Sequence, residues 1–314
     1  MNAIETRALS CRYWTKASLA DIFPPNTGLS WSTEVLHEVS FQVPVGSLFA
    51  LLGANGAGKT TLLKVLVNLL RPSSGRAAVL GVDSQQLGKR ELSQIGYVSE
   101  GQPPPEWMTV RQLLDYCRPF YPTWDPALET SLLEQFNLPT DRPLRHLSRG
   151  MRVKAALLSS LAPRPRLLVL DEPFSGLDPV VRDDITHGLL AAVRLGETTA
   201  IISSHDIEEV ERLADHVSLL EEGRLRLAEP TEELLGRFRR VEVEREGSFG
   251  GQPLPAAWLH YEAAAGRVTF IDTAYEREAT ERACRERFPG ATVWAHPMSL
   301  REIFITLTRM GRKV

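Results

Sequence analysis

Residues Gly53, Ala54, Asn55, Gly56, Ala57, Gly58, Lys59 and Thr60 follow one another, a stretch almost bare of side chain that ends in a cation and a hydroxyl. Polyphosphate recognition calls for such a run. Several backbone N–H groups must turn inward around the anion, and side chains there would obstruct both the backbone angles and the close approach. Lys59 adds a compact positive charge for the β- and γ-phosphates, and the Thr60 hydroxyl suits Mg²⁺. The spacing is that of a P-loop.

A second run, "LLVLDEP", ends in two carboxylates, Asp171 and Glu172. Beside a P-loop, Asp171 reads as the group facing Mg²⁺ opposite Thr60, and Glu172 as the group facing an attacking water. The plain alternative is a solvated acid pair at the start of a loop. His205 follows the apolar run "TTAII" and two serines, at the carboxyl edge of a sheet where ligands of such folds collect. Ser148 and Gly150 open the segment "LSRGMRVKAALLSSL", which reads either as an ordinary helix N-cap or as a second anion-binding helix tip.

These residues need a frame. The runs "SLFALLG", "RAAVLG", "QIGYVSE", "LLVLDE" and "TTAIISSH" alternate with longer helical patterns, which predicts an α/β domain with a mostly parallel sheet and crossover helices. The apolar run "TLLKVLVNLL" predicts a helix closed by Arg71-Pro72, its N-terminal dipole aimed at the phosphates. The Pro, Asn and Gly content between Trp14 and Val35 predicts an inserted loop before "VLHEVSFQV" resumes as strand. "PPPEWMT" and "FYPTWDP" read as irregular connections. Beyond Pro230 the pattern changes to a connecting helix, "TEELLGRF", strands at "RVEVER", "RVTFID" and "TVWAH", and helices at "EREATERACRERF" and "SLREIFITLTRM". That is a small α+β domain.

Composition excludes other classes. A formal net charge of -3 gives no general basic excess, against a dedicated nucleic-acid binder. No apolar run is long enough to cross a bilayer, so work at a membrane needs another chain to span it. The start, "MNAIETRALS", lacks the basic-then-apolar build of a signal peptide. Cys11, Cys117 and Cys284 are far apart and odd in number, which fits buried thiols in a reducing cytoplasm better than a disulfide framework or metal cluster.

Taken in order, the P-loop, LSRGM, LLVLDEP, SGLD and SSH make the sequence resemble the nucleotide-binding subunits of the ATP-binding-cassette (ABC) family over roughly Ala3 to Pro230. The resemblance implies an α/β P-loop NTPase fold: a mostly parallel core sheet, an N-terminal antiparallel β part and a helical subdomain at about 101–160. The ATP-binding domain would then span 1–229, with an accessory α+β domain over 230–314. It further implies that Gly53 to Thr61 bind ATP and that Ser148, Arg149, Gly150 and Met151 form the signature motif, usually LSGGQ. Arg149 and Met151 depart from that form. In the family, Ser148 and the Gly150 backbone would meet the γ-phosphate of ATP held by a second subunit, so that two chains close head to tail around two nucleotides. Asp178, within SGLD, would lie at that closing interface, His205 would contact the γ-phosphate, and Glu172 would be the general base.

Two positions stay open. "IGYVSEGQ" aligns Glu100 with the glutamine that usually senses Mg²⁺ and the membrane partner, with Gln102 as the alternative. A carboxylate there brings charge to the metal where an amide brings a neutral carbonyl. The resemblance also implies an adenine-stacking aromatic ahead of the cradle, where Tyr13, Trp14 and Trp31 all qualify by type and Tyr13 is favoured.

The implied function is an Mg²⁺-dependent ATPase, peripheral on the inner face of the cell membrane, that dimerises with itself or a similar subunit. It would drive a separate permease, docked on the stretch between Thr109 and Arg149. The tail resembles the C-terminal extension of bacterial export-type subunits, adding to subunit contact or serving as a packing appendage. The competing reading is a soluble ABC-type ATPase acting on ribosome or nucleic acid. Such relatives carry two cassettes or a long coiled coil, and this sequence has one cassette, no internal repeat and no sustained heptads.

Overall fold

The structure, a computed structural model, describes residues 1–15, 31–99, 101, 104–194, 198–244, 254–264 and 266–311, without the side chains of Trp14, Thr15, Trp31, Ser32, Arg194 and 309–311. Two compact units result, Met1–Ala228 and Glu229–Val314.

The first unit holds two sheets. One has the order β2-β1-β4-β5, formed by β1 (Asn2–Thr15), β2 (Trp31–Pro44), β4 (Ser74–Val79) and β5 (Val82–Asp83). All three of its pairings are antiparallel. The other has the order β10-β9-β3-β8-β7-β6, formed by β3 (Leu48–Leu52), β6 (Ile95–Ser99), β7 (Leu167–Asp171), β8 (Thr199–Ser204), β9 (His216–Glu221) and β10 (Arg224–Pro230). Its inner neighbours β6, β7, β8, β3 and β9 pair in parallel. Strands β3, β7 and β8 are buried at every residue, as strands covered on both faces must be.

Helix α1 (Lys59–Leu66) lies between the sheets. One core cluster joins Ile4, Val39 and Val79 of the first sheet, Leu62, Leu63 and Leu66 of α1, and Phe49, Val169 and Ile201 of the second. Burying each leucine contributes about 1.5–3 kcal/mol, so the helix that opens at the glycine-rich run is clamped along its length. After the short α2 (Lys89–Leu92) and β6, helices α3 (Val110–Cys117), α4 (Pro126–Gln135) and α5 (Arg149–Leu161) form the helical part. Thr109, Asp125 and Ser148 cap them through side-chain oxygens. Helices α6 (Pro179–Arg194) and α7 (Ile207–Val210) complete the unit.

Three expectations change. "RAAVLG" is not part of the parallel sheet: β4 pairs antiparallel with β1, and its early residues are exposed, as in a sheet with one wet face. The predicted helix "TLLKVLVNLL" ends at Leu66, because Asn68 turns left-handed at φ 59° and Leu69 and Leu70 both donate to the Lys64 carbonyl. The insertion is narrower than its composition suggests. Thr15 and Trp31–Glu34 belong to strands, paired Thr15 with Trp31 and Tyr13 with Thr33, so aromatic and β-branched residues extend the ladder into a stretch judged by its Pro and Gly.

The second unit begins with α8 (Thr231–Arg237). Its sheet has the order β12-β13-β11-β14, from β11 (Arg239–Glu244), β12 (Trp258–Ala264), β13 (Arg267–Asp272) and β14 (Thr292–Pro297). Cys284 and Phe288, at α9 (Arg277–Arg287), close a core with Val241, Val243, Trp258, Val268 and Phe270. Helix α10 (Leu300–Gly311) starts with reciprocal bonds between Ser299 and Glu302. Strand β12 was not expected. It is an edge strand, mostly exposed and broken by a bulge at His260, so no apolar alternation marks it.

Candidate functional site

The glycine-rich run leaves β3 and enters α1. Its glycines have different physical reasons. A Cβ at Gly53 would collide with the Leu220 carbonyl oxygen, and one at Gly58 would lie 2.8 Å from Leu36 Cδ2 and 3.0 Å from the Val35 carbonyl oxygen. Gly56, at φ 84°, faces open space. So Gly53 and Gly58 seat the turn against its neighbours, while Gly56 supplies the left-handed backbone and leaves the approach clear. Helix α1 starts with no side-chain cap and no acidic residue in its first turn, as an anion-binding terminus requires.

Lys59 is 5% exposed and folds back over the loop. Its Nζ donates to the carbonyls of Gly53 at 2.6 Å and Ala54 at 3.2 Å, and it pairs with Glu172 Oε1 at 3.0 Å. That carboxylate oxygen is buried and accepts no hydrogen bond, so the ion pair is its whole compensation. The other oxygen, Oε2, accepts from His205 Nδ1 at 2.7 Å. A carboxylate can only accept here, which puts a proton on Nδ1 and leaves Nε2 to face outward. Glu172 itself sits at φ 53°, where the chain turns sharply off β7.

Asp171 ends β7 in a ring of hydroxyls. Thr60 Oγ1 at 3.0 Å and Ser203 Oγ at 2.8 Å donate to Oδ1, and Ser99 Oγ at 3.2 Å donates to Oδ2. The register explains the serines, since Ser99 and Ser203 are the partners of Asp171 on the flanking strands β6 and β8. An oxygen set of one carboxylate and the adjacent Thr60 hydroxyl suits a hard cation such as Mg²⁺.

Tyr13, 39% exposed on β1, places its hydroxyl 3.2 Å from Thr61 Oγ1 and so stands beside the start of α1. Trp14 and Trp31 lie on the paired strand ends, with side chains outside the described residues. Glu100 and Gln102 are also outside the described residues.

The signature segment opens α5. Ser148 Oγ accepts from the Met151 N–H at 3.2 Å, and among the described residues its own proton is not given to another group. Gly150 is buried, and a Cβ there would lie 2.8 Å from Val181 Cγ1 of α6. Arg149 places its guanidinium against Gly176 of the same chain. With Arg152, Val98, Asp171 and Glu172 it lines a cavity of about 280 Å³. Asp178 is exposed and caps α6, accepting from Val180 at 3.1 Å and Val181 at 3.0 Å.

Several polar residues escaped the sequence reading. Ser99 and Ser203 are two. A third group is Glu209, which accepts from Ser204 Oγ at 2.8 Å and pairs with Arg182 at 2.9 Å, while Arg182 Nε donates to the Leu177 carbonyl. Burial pushes the Glu209 carboxyl above its ordinary range. The one sequence signal for the serines is polar residues closing an otherwise apolar strand, "TAIISS".

Comparison with known proteins adds four findings. The profile of the family described as ABC transporter matches residues 36–175. The chain is 31% identical over 210 residues to the ABC transporter ATP-binding protein YtrB of Bacillus subtilis (strain 168), covering 67% of this chain and 72% of the relative. It is 34% identical over 295 residues to the Nod factor export ATP-binding protein I of Rhizobium sp. (strain N33), covering 89% and 93%. Among solved structures, an ATP-binding subunit of an ABC transporter superposes with a TM-score of 0.62 at 25% identity, covering 74% of this chain and 91% of that one.

Proposed function

Since the chain belongs to the ATP-binding proteins of the ABC transporter family, and is an ATPase by that membership, we propose that it works as a pair. Two copies, or one copy and a similar subunit, close head to tail around two ATP molecules and drive a separate membrane permease. The observation that carries this reading is the division of the site. Glu172, Lys59 and His205 meet at one set of strand ends, whereas Ser148 and Asp178 are exposed and, among the described residues, their side chains bond to their own helix starts. A γ-phosphate in the cradle would thus find its remaining donors, the Ser148 hydroxyl and the Gly150 backbone, on another molecule, with Asp178 at the closing interface.

In the proposed cycle, the triphosphate takes Lys59 away from Glu172 and the two carbonyls. The freed Glu172 Oε1 then accepts a proton from the attacking water, and His205, held by Nδ1, turns Nε2 toward the γ-phosphate. Thr60 and Asp171 would hold Mg²⁺, which neutralises charge on the β- and γ-phosphates. Tyr13 would stack on the adenine and Glu100 would face the metal. Closure favours one permease conformation, and hydrolysis removes that bias.

The permease contact fits the helical part. Tyr116 and Phe120 are 57% and 61% exposed and meet edge to face at 5.6 Å, an aromatic pair left in water at the end of α3. No described helix is long and apolar enough to cross a membrane, so spanning falls to the partner and this subunit would sit on the membrane's inner face. Export is the direction we propose, because the Nod factor export relatives match over 89% of this chain, the C-terminal unit included.

Gentle detergent extraction followed by co-purification tests the assignment: a polytopic permease is expected, and ribosomes or DNA in its place would overturn it. The pairing is tested on Glu172→Gln by light scattering. A dimer at saturating ATP is expected, and a monomer that no similar subunit rescues would remove the head-to-tail site.

A further inference from the structure

Ser203 is fully buried at the end of β8, where its parallel register places it beside Asp171. Its hydroxyl has one proton and acceptor lone pairs. The Glu172 peptide N–H donates to Ser203 Oγ at 2.9 Å, so the oxygen must accept on that side. The single proton goes to Asp171 Oδ1 at 2.8 Å. One oxygen therefore holds two consecutive residues by different groups, the carboxylate of Asp171 and the backbone of Glu172.

Glu172 needs that hold. Its φ of 53° is left-handed, a conformation that is strained for a non-glycine residue and persists where surrounding bonds impose it. The turn aims Oε1 at Lys59 and Oε2 at His205. Without the hydroxyl, the Glu172 N–H loses its partner and Asp171 Oδ1 keeps only Thr60. Ser99, on the opposite strand, bonds Asp171 but not Glu172, so it cannot replace the link.

We propose that Ser203 is a positioning residue for hydrolysis: its hydroxyl locks the Asp171 carboxylate and the Glu172 backbone into one geometry. This rests on Asp171 and Glu172 acting as described above. Ser203 touches neither nucleotide nor water in this scheme, and its effect is transmitted wholly through its two neighbours.

The test uses the full-length protein carrying Ser203→Ala, Ser203→Thr or Glu172→Gln. Turnover is measured across Mg²⁺ concentrations, and ATP affinity is measured calorimetrically in EDTA. Ser203→Ala should lower kcat about ten- to a hundredfold, the size expected for losing a bond to a charged group. It should raise the Mg²⁺ concentration for half-maximal rate and leave ATP affinity in EDTA within about twofold of wild type. Ser203→Thr, which keeps the hydroxyl, should recover most of the turnover. Ser203→Ala turning over within about twofold of wild type would overturn the proposal. So would equal impairment of the Ala and Thr variants, or a matching fall of ATP affinity in EDTA, since either indicates packing alone. Glu172→Gln separates the two levels. If it still hydrolyses ATP, the role given to Glu172 fails; if it is inactive while Ser203→Ala is not impaired, only the Ser203 inference falls.

Discussion

Lys59 and Glu172 face each other across the glycine-rich turn as an ion pair of 3.0 Å, with 5% and 16% of their side chains exposed. The cation that takes the phosphate in the proposed cycle is thereby engaged by the carboxylate that takes the water's proton in the same proposal. Incoming triphosphate must compete with Glu172 for Lys59, which sets the first prediction. Glu172→Gln should bind ATP several-fold more tightly than wild type and hydrolyse it about a hundredfold or more slowly. Equilibrium binding beside single-turnover hydrolysis checks both halves, and a variant that binds ATP more weakly would contradict the competition.

The glycines of the cradle should separate by their surroundings. Gly53→Ala drives a methyl into the Leu220 carbonyl oxygen, so β9 must shift, and both thermal stability and ATP binding should fall. Gly56→Ala meets no neighbouring atom and carries only a left-handed penalty of about 1–2 kcal/mol. It should keep most of the stability and lose ATP affinity. Denaturation curves and nucleotide titrations on the two variants compare these effects directly.

Gly150 has a packing reason independent of any phosphate. Gly150→Ala presses a methyl against Val181 and should destabilise the protein by about 1–3 kcal/mol. Val181→Ala should relieve much of that loss in the double variant. If the double variant regains stability but not ATPase activity, Gly150 serves the second nucleotide site as well as the helix contact.

Acid sensitivity should include a share from Glu302. The Ser299 backbone N–H, its hydroxyl and the Arg240 guanidinium at 2.7 Å hold the Glu302 carboxyl below its ordinary range. A depressed folded-state pKa contributes stability that is present above the unfolded value, about 4.3, and is lost as pH falls through the folded one. Glu302→Gln should therefore be less stable than wild type at neutral pH, with the gap closing under acid. Urea midpoints from pH 7 downward measure it, and a gap that stayed constant with pH would exclude this origin.

Most of the cradle was legible because its chemistry is local. A bare turn, a lysine and a hydroxyl in fixed order require one another within a single helix entrance, and the strand "LLVLD" announced itself by the apolar run that precedes its carboxylate. The cap at Ser148 was equally local. What stayed hidden depends on register. Ser203 bonds Glu172 from 31 residues away, and nothing in either segment specifies that β7 and β8 align Asp171 with Ser203. Strand β4 was recognised as a strand but assigned to the wrong sheet, since a short apolar run does not say whether its partner runs parallel.

The tie from Leu177 through Arg182 and Glu209 to Ser204 spans the two segments that flank the reacting centre. Glu209 is 5% exposed on its side chain, so parting from Arg182 would strand a charge away from water. The turn that leads into Asp178 and the strand tip that leads into His205 are thereby tethered through one buried carboxylate.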